Sequence, residues 1–248
     1  MSGHSKWSTI KRKKAANDSA RAKVWSKLLR FVEVAAREGG GDPDANPTLA
    51  TAIQKAKQAS VPNENIDRAL KRGTGALQGE AYEEVAYEGY GPGGVAIYVR
   101  CLTNNRNRSS QDVRSAFNSA GGKLAEPGAV AWMFEPKGVV IVAAASASEE
   151  DVFLVAAEAG AEDVRGSDES IEVVTPTHEM KPVRDALSAA GIAVESSDLT
   201  MVPKTTVALE ESDAKKVLGL IDALDELDDV SEVFANFDIS DEIMATVA

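Results

Sequence analysis

Ten of the first 37 residues are Lys or Arg, and the chemistry they offer is contact with phosphate. Lys6, Lys11, Arg12, Lys13, Lys14, Arg21, Lys23, Lys27, Arg30 and Arg37 face only two acids, Asp18 and Glu33, a local net charge of +8. Cations at this density grip a polyanion by its backbone and carry no base-sequence information. A tetrabasic run such as Lys11-Arg12-Lys13-Lys14 is by itself more readily a solvated charge run. The helix that follows changes the balance. From Asp18 to Glu38 the pattern is helical, with Asn17 or Asp18 as cap and Gly39-Gly40-Gly41 as stop. At about 100° per residue, Lys27, Arg30 and Arg37 fall within about 40° of Lys23, while Trp25, Leu28, Leu29, Val32 and Ala36 gather opposite. One face is built to pack and the other to meet anions. His4 and Trp7, set among the cations, are of a type that stacks on unpaired bases, although Trp7 would serve equally as a cover for a helical core.

A second polar cluster, Thr103-Asn-Asn-Arg-Asn-Arg-Ser-Ser110, places Arg106 and Arg108 at the start of a helix. Phosphate contact and ordinary helix capping both account for it. Gly89-Tyr-Gly-Pro-Gly-Gly94 matches the spacing G-x-G-x-x-G, but a strand rather than a helix follows it, so it is no dinucleotide fingerprint.

Catalytic chemistry finds little footing. The densest carboxylates, Asp222, Asp225, Glu226, Asp228 and Asp229, are of a kind that holds Mg²⁺ in a metal-dependent nuclease. They sit at the end of a helix with no basic or nucleophilic residue close in sequence, which reads as a solvated face. Neither G-x-S-x-G nor a P-loop occurs. One cysteine, Cys101, and two histidines, His4 and His178, make no disulfide, thiolate cage or zinc set. No catalytic residue, metal or cofactor is expected.

The elements that must position these residues divide into three parts. Asn46-Pro47 starts a second helix with Leu49, Ala52, Ile53 and Ala56 inward, and a short third helix over Glu64 to Arg72 is closed by Gly73. Residues 1–75 are thus a small helical domain, marginally stable alone and mobile relative to the rest. Tyr82 to Tyr90 and Val95 to Leu102 read as a hairpin, followed by a helix to about Ala120 and a strand over Ala129 to Glu135. Cys101 belongs to the core of that run. A strand at Val139 to Val142, a helix over Glu149 to Gly160, strands at Asp163 to Arg165 and Ser170 to Val174, a helix over Glu179 to Ala190 and a strand from Ile192 give the ferredoxin-like order βαββαβ, closed by Pro203. The last helix, Glu211 to Leu227, and strand, Val230 to Phe237, cannot bury their faces alone and complete the earlier hairpin, helix and strand. The expected fold is α+β: three helices, then an α+β domain of residues 76–133 and 204–248 with the ferredoxin-like unit of 134–203 inserted in it.

Charge follows the same division. Residues 1–72 hold fifteen cations and seven anions, whereas Gly73 to Ala248 hold twelve cations and 32 anions, a net of −20 within an overall −12. One end seeks a polyanion and the remainder repels it. No apolar run approaches the roughly 18 residues that cross a bilayer, and the first residues lack the apolar stretch of a secretory signal, which places the chain in the cytoplasm.

Four segments in order, Ser2-Gly-His-Ser-Lys-Trp-Ser-Thr-Ile-Lys-Arg-Lys-Lys14, Asn65-Ile-Asp-Arg-Ala-Leu-Lys-Arg-Gly-Thr-Gly75, Tyr87-Glu-Gly-Tyr-Gly-Pro-Gly-Gly94 and Thr103-Asn-Asn-Arg-Asn-Arg108, resemble the YebC-type regulatory family across the whole chain. The resemblance implies a helical first domain followed by two α+β domains. It also implies a regulator of gene expression. The family includes bacterial DNA-binding transcriptional regulators, a mitochondrial translational activator of cytochrome c oxidase subunit I, and members associated with ribosomes translating proline runs. Starting at the motif without a leader, the chain matches the bacterial cytosolic type. The basic motif carries Lys6, Lys11, Arg12, Lys13 and Lys14 over as nucleic-acid contacts, to which the helix adds Lys23, Lys27 and Arg30. The loop Gly91-Pro92-Gly93-Gly94 matches a family motif and suits either close approach to a nucleic-acid backbone or a tight hairpin. Duplex DNA in transcription regulation and ribosomal RNA in translation regulation are the two targets left open, with the ribosome as a partner in the second.

Overall fold

The computed structural model describes residues 18–79, 81–167 and 170–247. Three helices come first: α1 (Asp18–Gly39), α2 (Pro47–Gln58) and α3 (Asn63–Gly73). The apolar stripe expected on α1 does pack, with Val32, Ala35 and Ala36 meeting Leu49, Ala52 and Ala56 of α2 and Ile66 and Ala69 of α3. The Trp25 indole N–H donates to the Ala59 carbonyl at 2.9 Å. Asn46 caps α2 by accepting from the Leu49 amide at 3.1 Å, and its amide also donates to the carbonyls of Ala35 and Gly40, both at 2.8 Å. One buried side chain therefore ends α1 and starts α2. Gly73 lets α3 approach α1, because a Cβ there would run into the Glu33 carbonyl and stand 2.7 Å from the Ala36 Cβ.

Two four-stranded sheets follow. β1 (Glu83–Tyr90) and β2 (Ala96–Thr103) form the antiparallel hairpin, joined by a 3₁₀ turn over Pro92–Gly94. Helix α4 (Arg106–Ser119) and the two-residue β3 (Lys123–Leu124) come next. After the second sheet the chain returns through β8 (Val207–Ala208), α7 (Glu211–Asp225), β9 (Val230–Ala235), β10 (Phe237–Asp238) and α8 (Asp241–Val247). The order of the first sheet is β3-β1-β2-β9, so the last long strand closes beside the second. Its core joins Ile97, Val99 and Cys101 of β2 to Phe117 of α4 and Leu220, Ile221 and Leu224 of α7. Burial, and after it the charge of Asp229, push the Cys101 thiol up to about 12, so at neutral pH it stays protonated.

The second sheet is built from β4 (Phe134–Ala143), α5 (Glu149–Glu158), β5 (Asp163–Gly166), β6 (Ser170–Thr175), α6 (Met180–Ala189) and β7 (Val194–Pro203). Its antiparallel order β5-β6-β4-β7 is the ferredoxin-like arrangement, with α5 and α6 on one face over Val140, Val142, Ile171 and Val173. It is seated on the back of the first sheet through Phe134, whose ring lies 6.3 Å from that of Tyr98, beside Phe234 and Val130.

Three strand boundaries differ from the sequence reading. The strands expected at 129–135 and 139–142 are one strand, β4, preceded by a 3₁₀ turn over Ala131–Met133 that leaves Trp132 exposed. Pro136 does not break β4. It pairs with Met201 of β7 in a stretch where β6 has not yet joined, so its missing N–H has an open side. The strand expected over 230–237 divides at Asn236, whose side chain accepts from the Ala96 amide at 2.7 Å and donates to the Thr205 carbonyl at 3.2 Å. Beyond it β10 pairs with β8 in parallel.

Candidate nucleic-acid interface

The cationic face of α1 does not stand in open solvent. Lys23 pairs with Glu226 at 2.8 Å and lies 4.0 Å from Asp228. Lys27 donates to the Asp225 carbonyl at 2.6 Å. Arg30 donates to the carbonyls of Asp228 at 2.8 Å and Leu102 at 3.0 Å and to the Asp229 carboxylate at 3.2 Å, while its guanidinium lies 4.7 Å over the Tyr82 ring. The physical reason lies in α7. That helix carries no basic residue in its last turn, and its closing carbonyls and carboxylates form a negative end. The cations that complement it come from α1, about 200 residues away in sequence.

Asp229, expected with its neighbours as part of a solvated face, is buried. It accepts from Arg108 through Nε at 3.1 Å and Nη2 at 2.8 Å, from the Thr103 hydroxyl at 3.0 Å and from Arg30. The clustered polar turn thus has a structural role: Asn105 caps α4 by accepting from the Arg108 amide at 3.1 Å, and the Thr103 hydroxyl takes the Asn105 amide at 2.9 Å. The hydrogen bond and charge of Asp229 raise the Arg108 guanidinium above its ordinary range. Arg106 is likewise raised by its hydrogen bond to Glu83 at 2.6 Å, and it remains more than half exposed. Arg37 turns from the row to Glu33 at 3.1 Å and the Tyr82 carbonyl at 3.3 Å. Glu33 is buried between Arg37 and Arg72, the latter at 2.8 Å.

The structure therefore brings Lys23, Lys27, Arg30 and Arg108 to one place, around the end of α7, and leaves Arg106 at its rim. The Gly91-Pro92-Gly93-Gly94 loop is elsewhere. It closes the opposite end of β2, roughly 25 Å from Thr103 at the usual rise per strand residue. Its conformation has a local cause: Gly93 and Gly94 adopt φ of 70° and 77°, and a Cβ on Gly93 would stand 2.7 Å from Leu209. His4, Lys6, Trp7, Lys11, Arg12, Lys13 and Lys14 lie outside the described residues. Among the described residues, no group of three or more His, Cys, Asp or Glu side chains is arranged to hold a metal ion. Also among them, no helix is long and apolar enough to cross a membrane.

Sequence reasoning missed Asp229, Glu33, Thr103 and Tyr82. A lone acid at an apolar-flanked position of a basic helix was a signal for Glu33. Asp229 offered none, since its partners are distant in sequence.

Comparison with known proteins places this architecture. Residues 5–76 match the TACO1/YebC protein N-terminal domain, and residues 82–237 match the TACO1/YebC second and third domain. The chain belongs to the TACO1/YebC family. A TACO1/YebC relative in Rubrobacter xylanophilus, named probable transcriptional regulatory protein, is 56% identical over the full length of both chains. Another of the same name in Salinispora arenicola is 54% identical over 99% of each. The crystal structure of a conserved hypothetical protein, Aq1575, from Aquifex aeolicus superposes with a TM-score of 0.81 at 46% identity, over 92% of this chain and 94% of that one. The α+β fold, with helices first and sheets after, is that of the TACO1/YebC family.

Proposed function

We propose that this chain is a non-enzymatic, DNA-binding regulator of transcription in the cytoplasm, holding nucleic acid by its phosphates through the basic N-terminal part. The observation that carries the reading is the charge division, +8 in the first 37 residues against −20 after Arg72. The relatives' name supports transcription regulation. The contacts of α1 support the phosphate chemistry, since Lys23, Lys27 and Arg30 already seat on anionic and carbonyl oxygens at 2.6 to 3.2 Å. Lys6, Lys11, Arg12, Lys13 and Lys14 provide the primary grip, with His4 and Trp7 beside them; Lys23, Lys27 and Arg30 extend it, and Arg106 and Arg108 border it.

One observation favours a second reading, a ribosome-associated translation factor that binds ribosomal RNA. An acidic body of −20 lies poorly along a DNA rod but is attracted to basic ribosomal proteins. The Gly91-Pro92-Gly93-Gly94 loop belongs to this reading as a second approach to an RNA backbone.

Replacing Lys11, Arg12, Lys13 and Lys14 by Ala is expected to weaken binding and flatten its salt dependence by roughly 0.7 to 0.9 log units for each phosphate no longer neutralised. An unchanged slope removes this cluster from the interface. Co-sedimentation with ribosomes under a large excess of duplex DNA then separates the targets: protein stripped off by DNA is a duplex binder, and protein that stays reads structured RNA.

A further inference from the structure

We propose that the acidic end of α7 is an intramolecular stand-in for phosphate, which holds the cationic face of α1 closed until a nucleic acid displaces it. The inference rests on the nucleic-acid reading above and concerns the regulation of that same surface. The oxygen anchors of the contact are ones that a phosphate reproduces, while the Tyr82 ring holds Arg30 and Lys55 pairs with Asp198 and Glu232 besides. Glu226 and Asp229 present carboxylate oxygens to Lys23 and Arg30, and the Asp225 and Asp228 carbonyls take Lys27 and Arg30. A duplex phosphate competes with these oxygens for Lys23, Lys27 and Arg30. Full engagement of one set weakens the other.

The joint is also weak enough to open. Glu226 and Asp228 are 74% and 82% exposed, so their pairs with Lys23 are screened by solvent and salt. Apolar packing does not seal it. The helical core around Val32, Leu49 and Ile66 and the sheet core around Val99, Phe117 and Leu224 are separate clusters. Between them a cleft of about 360 Å³ lies open beside the ion pairs, lined in part by Leu28, Phe31, Leu102 and Leu199. Asp229 is different. With Arg108 and Thr103 on its other oxygen, it keeps a partner when Arg30 leaves, so release of α1 does not strand a buried charge.

A thermodynamic signature follows. Salt weakens the exposed pairs of Lys23 as it weakens phosphate contact, so opening the joint offsets part of the salt dependence of binding. Without the acids that offset is gone.

The test uses the full chain with a short duplex DNA as probe. Gln58→Cys and Lys216→Cys carry a fluorescent donor and acceptor on α2 and α7, and the buried Cys101 does not compete for label. We expect duplex to lower energy transfer in the otherwise unchanged chain. The double variant Glu226→Gln, Asp228→Asn should bind duplex roughly five- to tenfold tighter, the scale of two screened ion pairs. Its salt slope should steepen, because salt no longer helps to open the joint. Glu150→Gln with Glu158→Gln, the same charge change on exposed positions of α5, should change neither quantity. Duplex bound with unchanged energy transfer, or an equal gain from the α5 variant, overturns the latch and leaves the nucleic-acid reading standing. If no form binds duplex while salt alone lowers energy transfer, the joint opens but the DNA-binding reading fails, and displacement by duplex falls with it.

Discussion

Glu88 shows how one carboxylate can hold a loop that no strand reaches. It is buried on β1 and accepts from the amides of Val130 at 2.6 Å, Gly128 at 2.7 Å and Ala131 at 2.8 Å. Burial works to raise its carboxyl, but the three backbone donors outweigh burial and hold it below the ordinary 4.5. Since the folded chain binds this proton less readily than the unfolded one, the stabilisation is complete above pH 4.5 and is lost as pH falls through the depressed value. Glu88→Gln should therefore cost about 2 kcal/mol in urea unfolding at pH 7, the scale of charge-assisted bonds to buried amides. The gap to the unchanged chain should close in titrations carried well below pH 4.5; a gap that persists there would assign Glu88 a packing role only. None of this was legible in the sequence, where Glu88 is one acid of an alternating strand and its donors lie forty residues on.

At the scale of elements, legibility follows the range of the interactions. The helices α1 to α3 show in the sequence because capping and the 3.6-residue period are local, and Asn46, Pro47 and Gly73 mark their ends. The βαββαβ order shows for the same reason. What periodicity cannot carry is the partner of an exposed face: the cations of α1 and the acids of α7 are each visible, but nothing in either segment says that they meet. Pro136 lies within β4 where β7 is its one sheet neighbour, β6 joining only from Gly138. The crossing of α1 and α3 permits a direct check. With Gly73 set against the Glu33 carbonyl, Gly73→Ala should lower stability by about 2 kcal/mol despite the better helix propensity of Ala, as overpacking does. A thermal melt unchanged or raised in this variant would show that the helices separate freely enough to admit a methyl group.

Taken whole, the molecule is one basic helical unit joined to an acidic pair of sheets by salt-sensitive contacts. We propose the division at 1–75, 76–133 with 204–248, and 134–203, because separate apolar clusters underlie the helices and the ferredoxin-like sheet. Limited proteolysis tests it. Raising ionic strength shortens the screening length from about 10 Å at 0.1 M to about 3 Å at 1 M. Cleavage between Gly73 and Glu83 should then accelerate, releasing the helical unit while the two sheets stay together through Phe134 and Tyr98. First cuts inside the sheets would contradict the division.

The distance in sequence between Lys23 and Glu226 is 203 residues. A ribosome adds about 5 to 20 residues per second, so Lys23, Lys27 and Arg30 are made roughly 10 to 40 s before the oxygens that meet them. Throughout that interval α7 is not there to meet them. A message truncated before α7 would leave Lys23, Lys27 and Arg30 without those partners for good, and such a fragment should hold nucleic acid more tightly than the finished chain.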